Sequence, residues 1–213
     1  MKKKLYLTLE CTAFFVGIPL LLWWAKERTL LMLALWVGTL LCGLYLHRHK
    51  AWPWRTLFAV DKPYLKLMLL RFVPLAIGLW LLAWWVAPHS LFSFPLQRPQ
   101  TWAMVMLLYP PLSVVPQEVI SRVFFHKRYA PVFQKQGHMI VASGLFFGLT
   151  HLTLMHWLPI VICVVGGMLF AHTYVRTKSL LMVSIEHALF GMWVFTLGLG
   201  IYFYTGYAWG MGG

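Results

Sequence analysis

The chain has 213 residues, of which 61% are hydrophobic and 11% charged, and its mean hydropathy is +0.73. A soluble domain carries about 25% charged and about 45–50% apolar residues, so the composition excludes a soluble fold and predicts a single integral membrane domain over residues 1–213. The net charge of +13 comes from Lys and Arg in short segments between apolar runs, which is typical of membrane topology rather than of nucleic-acid contact.

Seven apolar runs are each long enough to cross a bilayer, which requires a helix of about 20 mostly apolar residues. In chain order they lie at 5–25, 29–46, 65–87, 101–125, 138–155, 157–175 and 180–197. A shorter segment at 198–209, rich in glycine and aromatic residues, is predicted to be partial or re-entrant. The predicted fold class is therefore all-α, a polytopic membrane helical bundle of about seven or eight transmembrane helices.

The basic residues are distributed unevenly over the segments between these runs. With the N-terminus inside, 13 of the 18 Lys and Arg residues fall in inside segments, and three fall outside, namely Lys26, Arg28 and Arg98. The positive-inside rule then predicts a cytoplasmic N-terminus. We expect a multi-pass protein of a bacterial inner membrane, with the lipid bilayer as a partner and no nucleic acid.

The second half of the chain places ionisable residues inside predicted spans, where they are costly and usually functional. The fourth run ends with Gln117, Glu118 and Arg122, the fifth carries Phe147 and His151, and the seventh carries Glu186, His187 and Gly191. Glu118 and Arg122 are four residues apart, so they share a helix face and can neutralise each other. Pro116 interrupts the helix beside them, and irregular backbone at this depth is tolerated only against protein or a cavity.

The depths of three of these residues are compatible with a single site. If the fourth and fifth runs form a hairpin, Glu118 and His151 are equidistant from a turn near 134–135, about 25 Å along each helix at a rise of about 1.5 Å per residue. On the same rise, His187 lies about 14 Å from the turn near 177–178. We therefore expect Glu118, His151 and His187 to face one shared cavity.

Three motifs in chain order resemble those of the CPBP family of intramembrane proteases, also called the CAAX-protease or ABI family. The family motifs EExxxR, FxxxH and HxxxN correspond to Gln117-Glu118-x-x-x-Arg122, Phe147-x-x-x-His151 and His187-x-x-x-Gly191. The resemblance covers about residues 101–197 and implies that this region is the catalytic core. It implies an intramembrane endopeptidase that acts on a peptide or protein substrate at the membrane. A prenylated CAAX substrate is not assumed.

The chain departs from the family pattern at two positions. Gln117 stands where the family has its first glutamate, and Gly191 stands where it has Asn or Asp. The family's water-activating role is usually given to the paired glutamates, the first especially. Glu186 is a second carboxylate inside a span, and we consider that it could compensate.

Peptide hydrolysis requires an activated water and stabilisation of an oxyanion. We predict that Glu118 and His151 hold and deprotonate the water, that His187 donates to the oxyanion, and that Arg122 orients Glu118. No metal or other cofactor is expected, because the spacing lacks the HExxH pattern and the resemblance favours a glutamate-type site. Zinc is the alternative, since one Glu and two His can bind it.

Other readings of the same residues stay open. Glu118 and Arg122 can form a structural ion pair, and His151 and His187 can make hydrogen bonds between helices. Arg71 is expected to snorkel to the cytoplasmic surface. At the level of function, the alternatives are a non-catalytic membrane immunity or regulatory protein of the same fold and a small transporter with an intramembrane relay.

Overall fold

Apolar helices build the part of the chain that the computed structural model describes, which comprises residues 2–25, 30–133 and 135–203. Within these ranges no β-strand occurs and six helices are long enough to cross a membrane, followed by a shorter apolar one. They are α1 (Lys2–Ala25), α2 (Leu30–Arg48), α3 (Lys62–Val86), α4 (Pro99–Arg128), α5 (Gln136–Leu154), α6 (Trp157–Thr177) and α7 (Leu180–Thr196). The predicted all-α membrane bundle is confirmed, and each helix overlaps one of the seven predicted runs.

Two predictions fall partly outside this description. The short segment predicted at 198–209 begins with a single 3₁₀ turn at Leu199–Tyr202, and the rest of it from 204 onward lies outside the described residues. Lys26 and Arg28, two of the three cations assigned to outside segments, also lie outside them. The sidedness of the N-terminus stays a prediction.

The outer surface of the bundle is apolar. Leu40, Trp85 and Leu107, on three different helices, have relative exposures of 62%, 75% and 74%. Large apolar side chains exposed over so many helices would be unstable in water and are suited to lipid. The chain is accordingly an integral, multi-pass membrane protein.

Aromatic and ionic contacts hold α1 against the end of α4. The Phe15 ring lies 5.3 Å from the Phe125 ring in an edge-to-face contact, a geometry that aromatic pairs favour. Near the same end, Arg128 donates to both carboxylate oxygens of Glu10 at 2.8 and 2.6 Å, and Tyr129 donates to Glu10 at 3.1 Å. These contacts fix α4, the helix that carries Glu118, against the rest of the bundle.

Helix α4 is irregular where the candidate site begins. Wide π-helical turns occupy Pro110–Val114 and Val119–Phe124, and only Val115–Glu118 between them is α-helical. Pro116 has no backbone N–H, and a proline ring conflicts with the carbonyl four residues earlier, which accounts for the first wide turn. Such turns are frequent at functional sites, and here they flank Glu118.

Helices α5 and α6 pack at unusually short range because glycines line their contact. A Cβ placed on Gly148 would lie 2.9 Å from the Ile160 carbonyl oxygen and against the Val164 side chain. A Cβ on Gly144 would lie 2.9 Å from the Val164 carbonyl oxygen. Small residues permit this backbone approach in membrane helices, and the close contact fixes the end of α5 that carries His151.

The Gly148→Ala variant should therefore lower the free energy of unfolding by about 1–3 kcal/mol, the usual cost of overpacking. Reversible unfolding in mild detergent, followed by circular dichroism, measures the change. Gly137→Ala on the same helix is the matched control, because a Cβ there has nothing within 4 Å. Equal losses in the two variants would contradict this explanation of the α5–α6 contact.

Candidate active site

Helices α4 and α7 meet at a buried carboxylate–imidazole pair. His187 Nδ1 lies 2.8 Å from Glu118 Oε1, and Glu118 is completely buried while His187 is 6% exposed. A carboxylate only accepts hydrogen bonds, so Nδ1 of His187 is the donor. This contact leaves Nε2 of His187 for a second partner, which is the Tyr109 hydroxyl at 3.2 Å.

Arg122 supplies the positive charge next to Glu118. Its Nε lies 3.1 Å from Glu118 Oε2, but the contact does not have hydrogen-bond geometry, and Nη2 has no hydrogen-bond partner among the described residues. Nη1 donates to Ser143 Oγ at 2.7 Å and to the Ser121 carbonyl at 3.1 Å. The guanidinium also lies over the Phe147 ring, 5.1 Å from its centroid. The charge of Glu118 is thus balanced inside the bundle.

Two phenylalanines fix the orientation of the His187 ring. Phe170 stacks on it at 4.6 Å between centroids with an angle of 18° between the planes. Phe147 meets the same ring edge-on at 5.4 Å. With Glu118 holding Nδ1, the imidazole has little freedom to turn.

His151 lies where α5 passes from an α-helix into a short 3₁₀ turn. Its Nδ1 is 2.9 Å from the Phe147 carbonyl oxygen, which can only accept, so Nδ1 carries a proton. The Thr150 hydroxyl lies 3.2 Å from the same nitrogen. Nε2 is the nitrogen that remains for a water or a substrate.

The Phe147 side chain connects the two histidines. Its ring lies 5.2 Å from the His151 ring and 5.4 Å from the His187 ring. Phe147 begins the second of the three motifs, and its position explains how a phenylalanine four residues before a histidine can space two imidazoles that lie on different helices.

The two histidines line a large cavity that runs between the helices. Its volume is about 870 Å³, and most of its wall consists of apolar side chains from α1, α2, α3 and α6. The polar side chains that line it are those of Tyr109, Ser113, Gln117, Ser121, Thr150, His151, Thr153 and His187. A concave apolar space with a few convergent polar groups is the usual form of a substrate site.

Glu118 and Gln117 differ in their position relative to the cavity. Glu118 was predicted to face the cavity, yet it does not line it, because its carboxylate lies behind His187 and against Arg122. Gln117 does line the cavity, and its Nε2 donates to Ser113 Oγ at 2.7 Å. An amide therefore occupies the cavity wall at the position where the motif of the family has its first carboxylate.

Glu186 lies in a separate buried cluster. It accepts hydrogen bonds from Arg71 Nε at 2.9 Å and from the Thr173 hydroxyl at 2.5 Å, and it does not line the cavity. The snorkelling expected of Arg71 is wrong, because this side chain turns inward to pair with Glu186. The cluster joins α3, α6 and α7, so Glu186 does not replace the missing carboxylate at Gln117.

The arrangement of the possible metal-ligand side chains bears on whether the site could bind a metal ion. Among the described residues, no group of three or more His, Cys, Asp or Glu side chains is placed to hold a metal ion. One oxygen of Glu118 faces Arg122 and the other is bonded to His187. The metal-free site stays a prediction.

Sequence reasoning missed Tyr109. This residue lies directly before Pro110 in the apolar part of α4 and lines the cavity. The only signal in the sequence was a tyrosine deep inside a span, combined with Gly191 in place of the polar residue expected four positions after His187. Neither signal alone predicts a contact between two residues that are 78 positions apart in the chain.

A multi-pass helical bundle with a buried carboxylate and two imidazoles beside a large apolar cavity has the form of an intramembrane hydrolase. Residues 99–193 match the model of a family that is described as Type II CAAX prenyl endopeptidase Rce1-like. The match covers a little under half of the chain and confirms the resemblance predicted from the three motifs. No curated protein and no solved structure matches the chain.

Proposed function

We propose that this chain is an intramembrane endopeptidase that hydrolyses a peptide bond of a membrane-associated substrate in the cavity beside His151 and His187. One observation carries the proposal: two imidazoles on either side of Phe147 line the same apolar cavity, and one of them is bound to a buried carboxylate. The apolar side chains of the cavity wall lower the local dielectric constant and so strengthen charge interactions there.

His151 is the candidate base. Because its Nδ1 is bonded to the Phe147 carbonyl, its Nε2 has the lone pair that can accept a proton from water. In the proposed step, the water oxygen bonds to the substrate carbonyl carbon, the water proton moves to Nε2, and the carbonyl π pair moves to oxygen. The tetrahedral intermediate then breaks its C–N bond, and the proton on Nε2 passes to the leaving amine.

Glu118 acts through His187 in this mechanism. Its carboxylate accepts from Nδ1 of His187 and fixes the ring, while Arg122 places a positive charge beside the carboxylate. In the proposed step, the oxyanion develops on the side of the cavity that His187 lines. This role differs from direct activation of water by Glu118, which the position of its carboxylate behind His187 does not favour. No metal takes part in the proposed step.

A cleavage assay tests the proposal. The full chain is reconstituted in liposomes with a library of single-span membrane peptides, and products are identified by mass spectrometry. We expect cleavage within or near the span by the wild type, unaffected by a chelator of divalent ions. Loss of activity on chelation, with recovery on adding zinc, would instead assign the site to metal-dependent hydrolysis.

Gln117 supports a second candidate, a membrane protein of the same fold that binds a peptide segment without cleaving it. The amide at the cavity wall cannot take a proton from water, so a site that needed a carboxylate there would be inactive. The Gln117→Glu variant separates the two candidates in the same assay. Cleavage by Gln117→Glu together with no cleavage by the wild type would establish the non-catalytic function.

A further inference from the structure

Tyr109 fills a space that the sequence leaves open at Gly191. A Cβ placed on Gly191 would collide with the Tyr109 hydroxyl and would lie 2.5 Å from Cε1 and 2.6 Å from Cζ of the same ring. Gly191 follows His187 by one helical turn on α7, so both residues present the same face to α4. Glycine at 191 is therefore the residue that allows the tyrosine ring to reach His187.

The hydroxyl of Tyr109 ends a chain of hydrogen bonds that begins at a buried charge. Glu118 accepts from Nδ1 of His187 at 2.8 Å, and Nε2 of the same ring lies 3.2 Å from the Tyr109 oxygen. The tyrosine ring is held edge-on against Phe195 at 5.1 Å. Tyr109 lines the cavity, as His187 does, so the tyrosine end of this chain also borders the space in which a substrate would bind.

We infer that Tyr109 is a catalytic residue that donates its hydroxyl hydrogen bond to the oxyanion formed during peptide hydrolysis. The inference rests on the proposed function and adds a residue to it. When Nε2 of His187 carries a proton, it donates to the tyrosine oxygen, and the hydroxyl proton is free to point into the cavity. The negative oxygen of the tetrahedral intermediate accepts that proton's hydrogen bond without proton transfer, and the charges of Glu118 and His187 polarise the donor.

The geometry also explains the departure at position 191. A polar side chain there would occupy the space next to Nε2 of His187 that the Tyr109 hydroxyl occupies. The tyrosine on α4 thus supplies from a different helix the donor that a side chain at 191 could supply from α7. Gly191, the last residue of the third motif, contributes space rather than a functional group.

Tyr109→Phe tests the inference directly. The variant keeps the ring and its packing but removes the donor, and loss of one oxyanion donor lowers kcat by about 10²–10³. We expect that loss at an unchanged KM, measured in liposomes on a single-span peptide that the wild type cleaves. Tyr45→Phe is the matched control, because its hydroxyl contacts Arg128 and it does not line the cavity. Full kcat in Tyr109→Phe would overturn the inference and leave the proposed function intact.

A reciprocal substitution distinguishes a donor from a packing role. Tyr109→Ala should lose activity, and Tyr109→Ala/Gly191→Asn should regain about tenfold or more of it, because an amide donor then stands in the vacated space beside His187. Gly191→Asn alone should be inactive, since its side chain collides with the tyrosine ring. Failure of the double variant to exceed Tyr109→Ala, with both folded by circular dichroism, would count against the donor role.

A spectroscopic measurement separates failure of the inference from failure of the proposed function. The ¹⁵N chemical shift of His187 Nε2, recorded on the full chain in nanodiscs, should change in Tyr109→Phe and stay constant in Tyr45→Phe. If the shift changes but the wild type cleaves no peptide in the library, the geometry holds, whereas the proposed function and the oxyanion role both fail. An unchanged shift would show that Tyr109 does not bind His187 and would overturn the inference by itself.

Discussion

Replacing Glu118 with Gln is expected to lower the free energy of unfolding by about 3–5 kcal/mol, the cost of removing one partner from a buried ion pair. Arg122 is the reason, because both side chains are completely buried and 3.1 Å apart. The amide can still accept from Nδ1 of His187, but it presents no negative charge to the guanidinium. The loss should be measured by reversible unfolding in mild detergent, on the same preparation that is assayed for cleavage.

The control is a double-mutant cycle with Arg122→Met. Each single variant leaves one buried charge without its partner, whereas Glu118→Gln/Arg122→Met removes both charges and should recover most of the stability. Equal stability of Glu118→Gln and the wild type would show that the ion pair contributes nothing and would contradict the prediction.

The same cycle separates the structural and catalytic roles of Glu118. If the carboxylate has only a structural role, the double variant should regain activity together with stability. If it holds and polarises His187, as we propose, the double variant should be stable and remain at least about tenfold slower, since general acid–base groups typically contribute about 10²–10⁴ in rate. The free energy of unfolding and kcat should therefore be measured on all variants of the cycle and compared.

The bundle could be predicted from the sequence because the bilayer imposes a simple rule. A helix must cover about 30 Å of hydrocarbon with about 20 apolar residues. Among the described residues, six of the predicted runs are helices of that length, from Lys2–Ala25 to Trp157–Thr177, and the seventh is the shorter helix Leu180–Thr196. The elements that bear the site were found for the same reason. Glu118, His151 and His187 are costly in lipid, and they were noticeable because polar residues are rare in these runs.

Which side chains reach the cavity could not be predicted, because that depends on the rotation of each helix. Gln117 and Glu118 are neighbours, and successive positions on a helix point about 100° apart at about 3.6 residues per turn. The π turn that starts at Val119 changes this rotation locally. No residue type within the turn allows it to be predicted from the sequence. The assignment of Glu118 to the cavity wall failed at this step.

Contacts between residues on different helices could not be predicted from the sequence for a related reason. Arg71 has no helical neighbour that signals its pairing with Glu186, which lies 115 positions later, so an exposed position was the natural expectation. The Gly191–Tyr109 contact is similar, since the space that a glycine leaves is visible only when the facing helix is in place. Motifs identified the groups of the site, and packing decided their partners.

His151→Asn is expected to lower kcat by about 10²–10⁴, the usual contribution of a general base. Asparagine places an amide nitrogen close to the position of Nδ1, so it can still donate to the Phe147 carbonyl, which the native ring contacts at 2.9 Å. It has no counterpart of Nε2, the nitrogen that we assign to the water. The free energy of unfolding should change by less than about 1 kcal/mol, because the local hydrogen bond is kept.

Steady-state cleavage in liposomes and unfolding in detergent should be measured on wild type, His151→Asn and the control His138→Asn, which replaces an exposed histidine of the same helix. His138→Asn should retain wild-type turnover. Added imidazole should restore part of the activity of His151→Asn, because it supplies the missing base in the vacated volume, and it should not affect the control. Wild-type kcat in His151→Asn would remove His151 from the mechanism. A large loss of stability with no rescue by imidazole would instead make it a structural residue at the end of α5.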